Sequence, residues 1–154
     1  IGIDKIGFTT ADIFTELKER LICHEELGFQ SGFEKWTVEE RTEPRRLLPE
    51  AQSIISIAVA YPSRMRKDAP KSTKEERRGF FCRASWGMDY HDVLRERLRK
   101  LEAFIHEKVE DAVTKIMVDT GELSDKAVAE RAGIGFVGKN TILITEKEPE
   151  ILTI

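Results

Sequence analysis

Cysteine is nearly missing from this chain. Of 154 residues only Cys23 and Cys82 carry thiols, and no CxxC pair occurs. That excludes a zinc ribbon, a thioredoxin-like redox pair and an iron–sulfur cluster ligated by this chain alone. Long apolar runs are missing too. The longest, IISIAVAY at 54–61, is strand length, far short of the ~20 residues a membrane helix needs. There are no internal repeats and no low-complexity tracts. With two thiols and no leader-like pattern in its first residues, the chain is expected to belong to a reducing cytoplasm.

What is present reads as globular: 40% hydrophobic and 34% charged residues at a length that fits one domain, spanning 1–154. Residue 1 is Ile, and the closing ILTI resembles the beginning of a strand, so a fragment of a longer protein is expected. The net charge is −3, but it is unevenly placed. From Arg64 to Lys100 there are twelve Lys/Arg against six Asp/Glu, a local excess of +6. A basic island on an acidic body suits an anionic partner, and equally a solvated loop and helix face.

Periodicity gives alternating elements. Residues 3–8 predict a strand. Thr10 is placed to cap a helix starting near Asp12, with Phe14, Leu17 and Leu21 on one stripe. The polar stretch 34–47 reads as loop. SIISIAVA, 53–60, is a β-branched apolar run that predicts a strand covered on both faces. The charged segment 63–79, with Pro70, reads as a long loop. Leu94, Leu98, Leu101 and Ile105 repeat at helical spacing from about Asp89 to Lys108. KIMVD, 115–119, and ILIT, 142–145, predict two more strands. Between them Ser124 is placed to cap a helix running to about Ala132, with Gly133 as its left-handed terminator. The class is α/β, an α+β sandwich with a mixed sheet flanked by helices.

The densest punctuation lies in VDTGELSDKAVAERAGIGFVGKNT, 118–141. Asp119 ends an apolar run beside a Thr-Gly turn. A carboxyl there has either of two uses: a general acid with a raised pKa, or an Asx turn into Thr120-Gly121. GIGFVG matches GxGxxG, but it follows a helix and precedes a strand, so it is not a dinucleotide fingerprint. Its glycines suit a backbone that presses against a bulky ligand, and Lys139 follows directly. In FFCRASWGMDYHD, 80–92, Cys82 and His91 lack a third orienting group and metal-ligand spacing. Arg83, Trp86 and Tyr90 suit either a pocket for a large, partly apolar molecule or a core-edge aromatic cluster. Arg41, Arg45 and Arg46 form a second basic knot, and His24 and His106 read as solvent-facing.

RRLLPEAQSIISIAVAYP, RRGFFCRASWGMDYHDVLRERL and VDTGELSDKAVAERAGIGFVGKN, taken together and in this order, resemble the N-terminal domain of the epoxyqueuosine reductase family. The likeness runs from about Ile3 to Thr145. It implies a cobalamin-dependent, iron–sulfur oxidoreductase that reduces an epoxide on a modified tRNA base in the last step of queuosine synthesis. The implied fold resembles the cobalamin-binding domain of reductive dehalogenases and, more distantly, a nitroreductase-like sandwich. The same likeness implies that Asp119 is the proton donor and that Arg41, Cys82, Ser124 and Lys139 lie around the cobalamin. The [4Fe–4S] clusters and a helical-repeat tail belong to parts of the family that follow this segment. The partners implied are tRNA and no membrane, with a monomer at full length. The runner-up readings are a non-catalytic corrinoid- or tRNA-binding module and a flavin nitroreductase-like enzyme.

Overall fold

A computed structural model describes residues 2–60, 70–79, 81, 87–145 and 151–153. Cys82, Arg83 and Trp86, and parts of the basic island, lie outside these. Among the described residues the chain runs β1 (Lys5–Thr10), α1 (Thr15–Glu26), α2 (Val38–Thr42), α3 (Pro44–Leu47), β2 (Ser53–Ala60), α4 (Tyr90–Lys108), α5 (Asp125–Arg131), β3 (Phe136–Val137), β4 (Leu143–Ile144) and β5 (Ile151–Thr153).

β2 is the axis of the fold. It pairs with β1 on one side, Lys5 opposite Ala58 and Thr10 opposite Ser53, and with β5 on the other. β3 and β4 make a separate hairpin. Helices and strands mix as the sequence predicts, but every pairing among the described residues is antiparallel, where a mixed sheet was expected.

The β-branched run of β2 is buried from both sides because alternate residues feed different clusters. Ile57 meets Leu94 of α4 and Val118. Ala58, next along, meets Ala129 of α5, Ile134 and Leu143. A third cluster joins Phe14, Leu123 and Val128, with Ile54 against it. α5 ends so close to β1 that a Cβ at Gly7 would lie 2.3 Å from the Ala132 carbonyl oxygen, so only glycine fits there.

Arg131, the last residue of α5, ties the same corner. It donates to Thr9 Oγ1 at 3.0 Å and to the carbonyls of Thr10, Asp12 and Ile13 at 2.7, 3.0 and 3.3 Å. Its guanidinium also sits 3.3 Å from the centre of the Phe14 ring, a cation–π contact.

Three local expectations change. Thr10 pairs with Ser53 in the sheet, so it cannot cap α1, which begins at Thr15. The stretch 34–47 contains two short helices rather than loop alone. The first opens on a capping box, with Thr37 Oγ1 accepting from the Glu40 N–H at 3.2 Å and Glu40 Oε2 accepting from the Thr37 N–H at 2.9 Å. Residues 115–119 form no strand; Ile116 and Val118 pack on the core as an irregular segment. No helix of the described residues is long and apolar enough to cross a membrane.

Candidate active site

Val118 is only 3% exposed, held in the cluster with Ile57 and Leu94. That anchor forces the next residues to turn outward. Asp119 takes a left-handed backbone, φ 52°, and the Thr120 N–H closes back on the Val118 carbonyl at 2.5 Å. Aspartate is among the few side chains that tolerate this conformation. The turn therefore lifts one carboxylate off the core.

Two neighbours on α4 receive it. Tyr90 Oη donates to Asp119 Oδ2 at 2.7 Å, and His91 Nε2 lies 3.2 Å from the same oxygen. Tyr90 and His91 are stacked, ring centres 4.0 Å apart. His91 Nδ1 faces Asp89 Oδ1 at 2.8 Å, and that oxygen also accepts from the His91 backbone N–H at 2.9 Å, which caps α4. A doubly protonated imidazole donates to both carboxylates; a neutral ring donates to one. Burial, and then the hydrogen bond to Asp119, push the Tyr90 hydroxyl up to about 12. It stays a donor at any ordinary pH.

A second carboxyl group, Asp125, lines a cleft together with Asp119. Asp119 is 54% exposed on its side chain. Asp125, at the start of α5, is pushed up to about 6 by burial first and by the Asp119 charge second, with the Asp119 backbone N–H pulling the other way. Sequence reasoning missed Asp125 as a titrating group, because an aspartate after a helix cap reads as dipole compensation. Ser124 occupies the cap position but makes no capping bond with its side chain, contrary to expectation.

Asp119, Ser124 and Asp125 line one wall of an open cleft of about 590 Å³. Phe33, Trp36 and Arg41, from a second segment of the chain, line the cleft as well. The structure thus brings three of the expected site residues together: Asp119, Ser124 and Arg41. Lys139 is exposed in the turn between β3 and β4 and does not line the cleft. Cys82 lies outside the described residues. Two of the glycines of GIGFVG, Gly135 and Gly138, press against the chain itself: a Cβ at Gly135 would lie 2.3 Å from the Ile144 carbonyl oxygen. Gly133 takes the left-handed φ of 74° expected of it. Tyr90 and His91 were legible as chemically able side chains, but nothing local in sequence joins them to Asp119, more than 25 positions away.

The family model described as "Epoxyqueuosine reductase QueG, DUF1730" matches residues 41–120. An epoxyqueuosine reductase of Bacillus subtilis (strain 168) is 67% identical over 145 residues, covering 94% of this chain and 37% of that protein. The Staphylococcus aureus (strain NCTC 8325 / PS 47) enzyme is 58% identical over 147 residues, 96% of this chain and 38% of its own. A crystal structure of epoxyqueuosine reductase with an epoxyqueuosine-modified tRNA-Tyr stem loop superposes with a TM-score of 0.88 at 62% identity, covering 99% of this chain and 40% of that one. A Bacillus subtilis epoxyqueuosine reductase whose aspartate-bearing catalytic loop is swung out of the active site gives 0.87 at 61% identity, covering 99% of this chain and 40% of that one. The chain therefore spans about 40% of the length of the relatives it matches.

Proposed function

The chain belongs to the epoxyqueuosine reductase family, and on that premise we propose that it forms the acid-bearing, cofactor-facing N-terminal domain, residues 1–154, of an enzyme that reduces epoxyqueuosine to queuosine in tRNA. The observation that carries this reading is the placement of Asp119: raised on a left-handed turn, gripped by Tyr90 and His91, and turned into a cleft. The tRNA stem loop bound by a 62% identical relative supports the substrate class.

Converting an epoxide to an alkene and water takes up an electron pair and a pair of protons. Cobalamin is the group this family implies for the electrons. The cleft fits a broad, flat molecule with a polar edge: it is open, it carries the aromatic surface of Trp36, and it has a cationic side chain in Arg41. Arg41 and Ser124 would hold the polar edge, and Cys82 and Lys139 complete the set by resemblance. When bound, cobalamin supplies reducing electrons at the epoxide carbon. The chain's own residues handle the first proton, and water entering the open cleft supplies the second. Asp119 in its acid form donates to the oxygen released from the epoxide, and the Tyr90 hydroxyl then stabilises the carboxylate left behind. Asp125, which holds its own proton up to about pH 6, lines the same cleft.

On this reading the helix-flanked sheet is the fold of the corrinoid-binding domain of reductive dehalogenases, related to nitroreductases. The [4Fe–4S] clusters belong to later parts of the polypeptide, and the full-length enzyme acts in the cytoplasm as a monomer. The test is Asp119→Asn in the full-length enzyme. Turnover of an epoxyqueuosine-bearing stem loop is expected to fall by about 10²–10⁴-fold, the range for a lost general acid, with cob(II)alamin still bound. Undiminished turnover removes Asp119 from the chemistry.

A further inference from the structure

The second segment that lines the cleft is built unusually. Residues 31–36 fold on themselves around one carboxylate. Glu34 Oε1 accepts from the Ser31 N–H and the Ser31 hydroxyl, both at 2.8 Å, and Oε2 accepts from the Gly32 N–H at 2.8 Å. The Phe33 N–H adds a bond to Ser31 Oγ at 3.3 Å. Gly32 turns the chain at φ 82°, where a side chain would be strained. These bonds hold the Glu34 carboxyl down to a pKa of about 2.

The product of this arrangement is an aromatic ring aimed outward. Phe33 is 93% exposed, the most exposed large apolar residue described, and it lines the cleft. A loop tip that served only to connect α1 to α2 would not need a pinned turn that keeps phenylalanine in water. The charges that share the cleft are of both signs, with Asp119 and Asp125 among the acids and three cations beside them. Lys35, whose ammonium lies 4.8 Å from the centre of the Trp36 ring, Arg41 and Lys126 line the same cleft. Of the nearby acids, Glu34 is committed to its own turn and Glu122 to Lys115 at 3.3 Å. An exposed aromatic face beside cations is the combination that takes an unstacked base and its phosphate from a single-stranded nucleic acid.

We propose that Phe33 is a stacking platform for a nucleobase of the RNA loop that enters the cleft, with Lys35 meeting the adjoining backbone. The proposal rests on the tRNA reading above and assigns the wall of the site that holds the RNA, as distinct from the wall that carries the acid.

The test uses the full-length enzyme and an epoxyqueuosine-tRNA stem loop, with Kd read by fluorescence anisotropy and cob(II)alamin affinity read by absorbance titration. Phe33→Ala is expected to weaken RNA binding about tenfold, within the range for one base–aromatic stack, and to leave cob(II)alamin affinity unchanged. Phe33→Trp is expected to restore RNA affinity. Because stacking involves no counterion release, the ratio between Phe33→Ala and wild type should hold as salt is raised, while both affinities fall in parallel. An unchanged RNA affinity in Phe33→Ala, or a loss confined to cob(II)alamin, overturns the proposal while leaving the function intact. A wild-type enzyme that does not bind the stem loop overturns both.

Discussion

The two walls of the cleft are built on opposite principles. The acid wall, residues 118–126, is rooted in the core. Val118 and Leu123 are 3% and 6% exposed and belong to different clusters, so the turn between them is fixed at both ends. The aromatic wall, residues 31–36, is rooted in itself: the side-chain hydrogen bonds of Ser31 and Glu34 run within the turn, and Phe33 faces out. Proton transfer requires a donor placed to within a fraction of an ångström, which a packed core supplies. Receiving a flexible RNA loop tolerates a wall that moves as a unit. The contrast between the walls thus follows the division of labour proposed for them.

That contrast can be broken most easily at Leu123. If the acid wall depends on the core, Leu123→Ala should cost about 2–4 kcal/mol of stability, the usual range for a buried leucine truncated to alanine. Denaturant unfolding reads it directly. A cost under about 1 kcal/mol would mean that the acid turn is no better anchored than its counterpart.

Asp125 sharpens the same contrast through pH. Its folded pKa is about 6 against an ordinary 3.8. The folded state therefore binds the proton more tightly than the unfolded state. Stability from this group is full below about pH 4 and is lost as pH rises through about 6. Asp125→Asn removes the loss and should stabilise the protein by roughly 1–3 kcal/mol at pH 7, allowing for partial exposure. The gain should vanish below about pH 4. Melting curves across pH 4–8 check both sign and window, and a variant less stable at pH 7 contradicts the assignment.

The smallest global effect is expected at Glu34. Its pKa is lowered from 4.5 to about 2, so the carboxylate that organises the turn is present above the ordinary value and is lost only as pH falls toward 2. Glu34→Gln should leave the melting temperature where it is and raise hydrogen exchange at the Ser31 and Gly32 amides. In the wild type those amides should stay protected at pH 3. Loss of global stability in the variant would show that the aromatic wall is tied to the core after all.

Much of this was legible before the structure. β2 was read with its observed bounds, because a continuous β-branched run has few other uses. α4 was read to within one residue, because its leucines keep a helical period over several turns. The failures are equally physical. KIMVD has strand composition but finds no strand partner among the described residues, and a strand exists only by pairing. Thr10 is a good cap by chemistry, yet the ladder to Ser53 claims it first. The capping box Thr37-x-x-Glu40 was a readable signal passed over in favour of the charge around it. At the site, Asp119 was legible through its glycine-bordered turn, and Ser124 and Arg41 through resemblance. The contacts from Tyr90 and His91 and the buried character of Asp125 were not, since each depends on segments that meet only after β2 is covered on both sides.

Arg131 gives the amino-terminal residues an importance that their distance from Asp119 conceals. The helix whose first residue is Asp125 has its last residue hydrogen-bonded to Thr9, Thr10, Asp12 and Ile13, and the bond to Thr9 bridges 122 positions of chain. Asp125 therefore stands on a short lever bolted to the opening segment. Deleting residues 2–13, a change that removes no catalytic group, would unbolt that lever and let the acid wall drift.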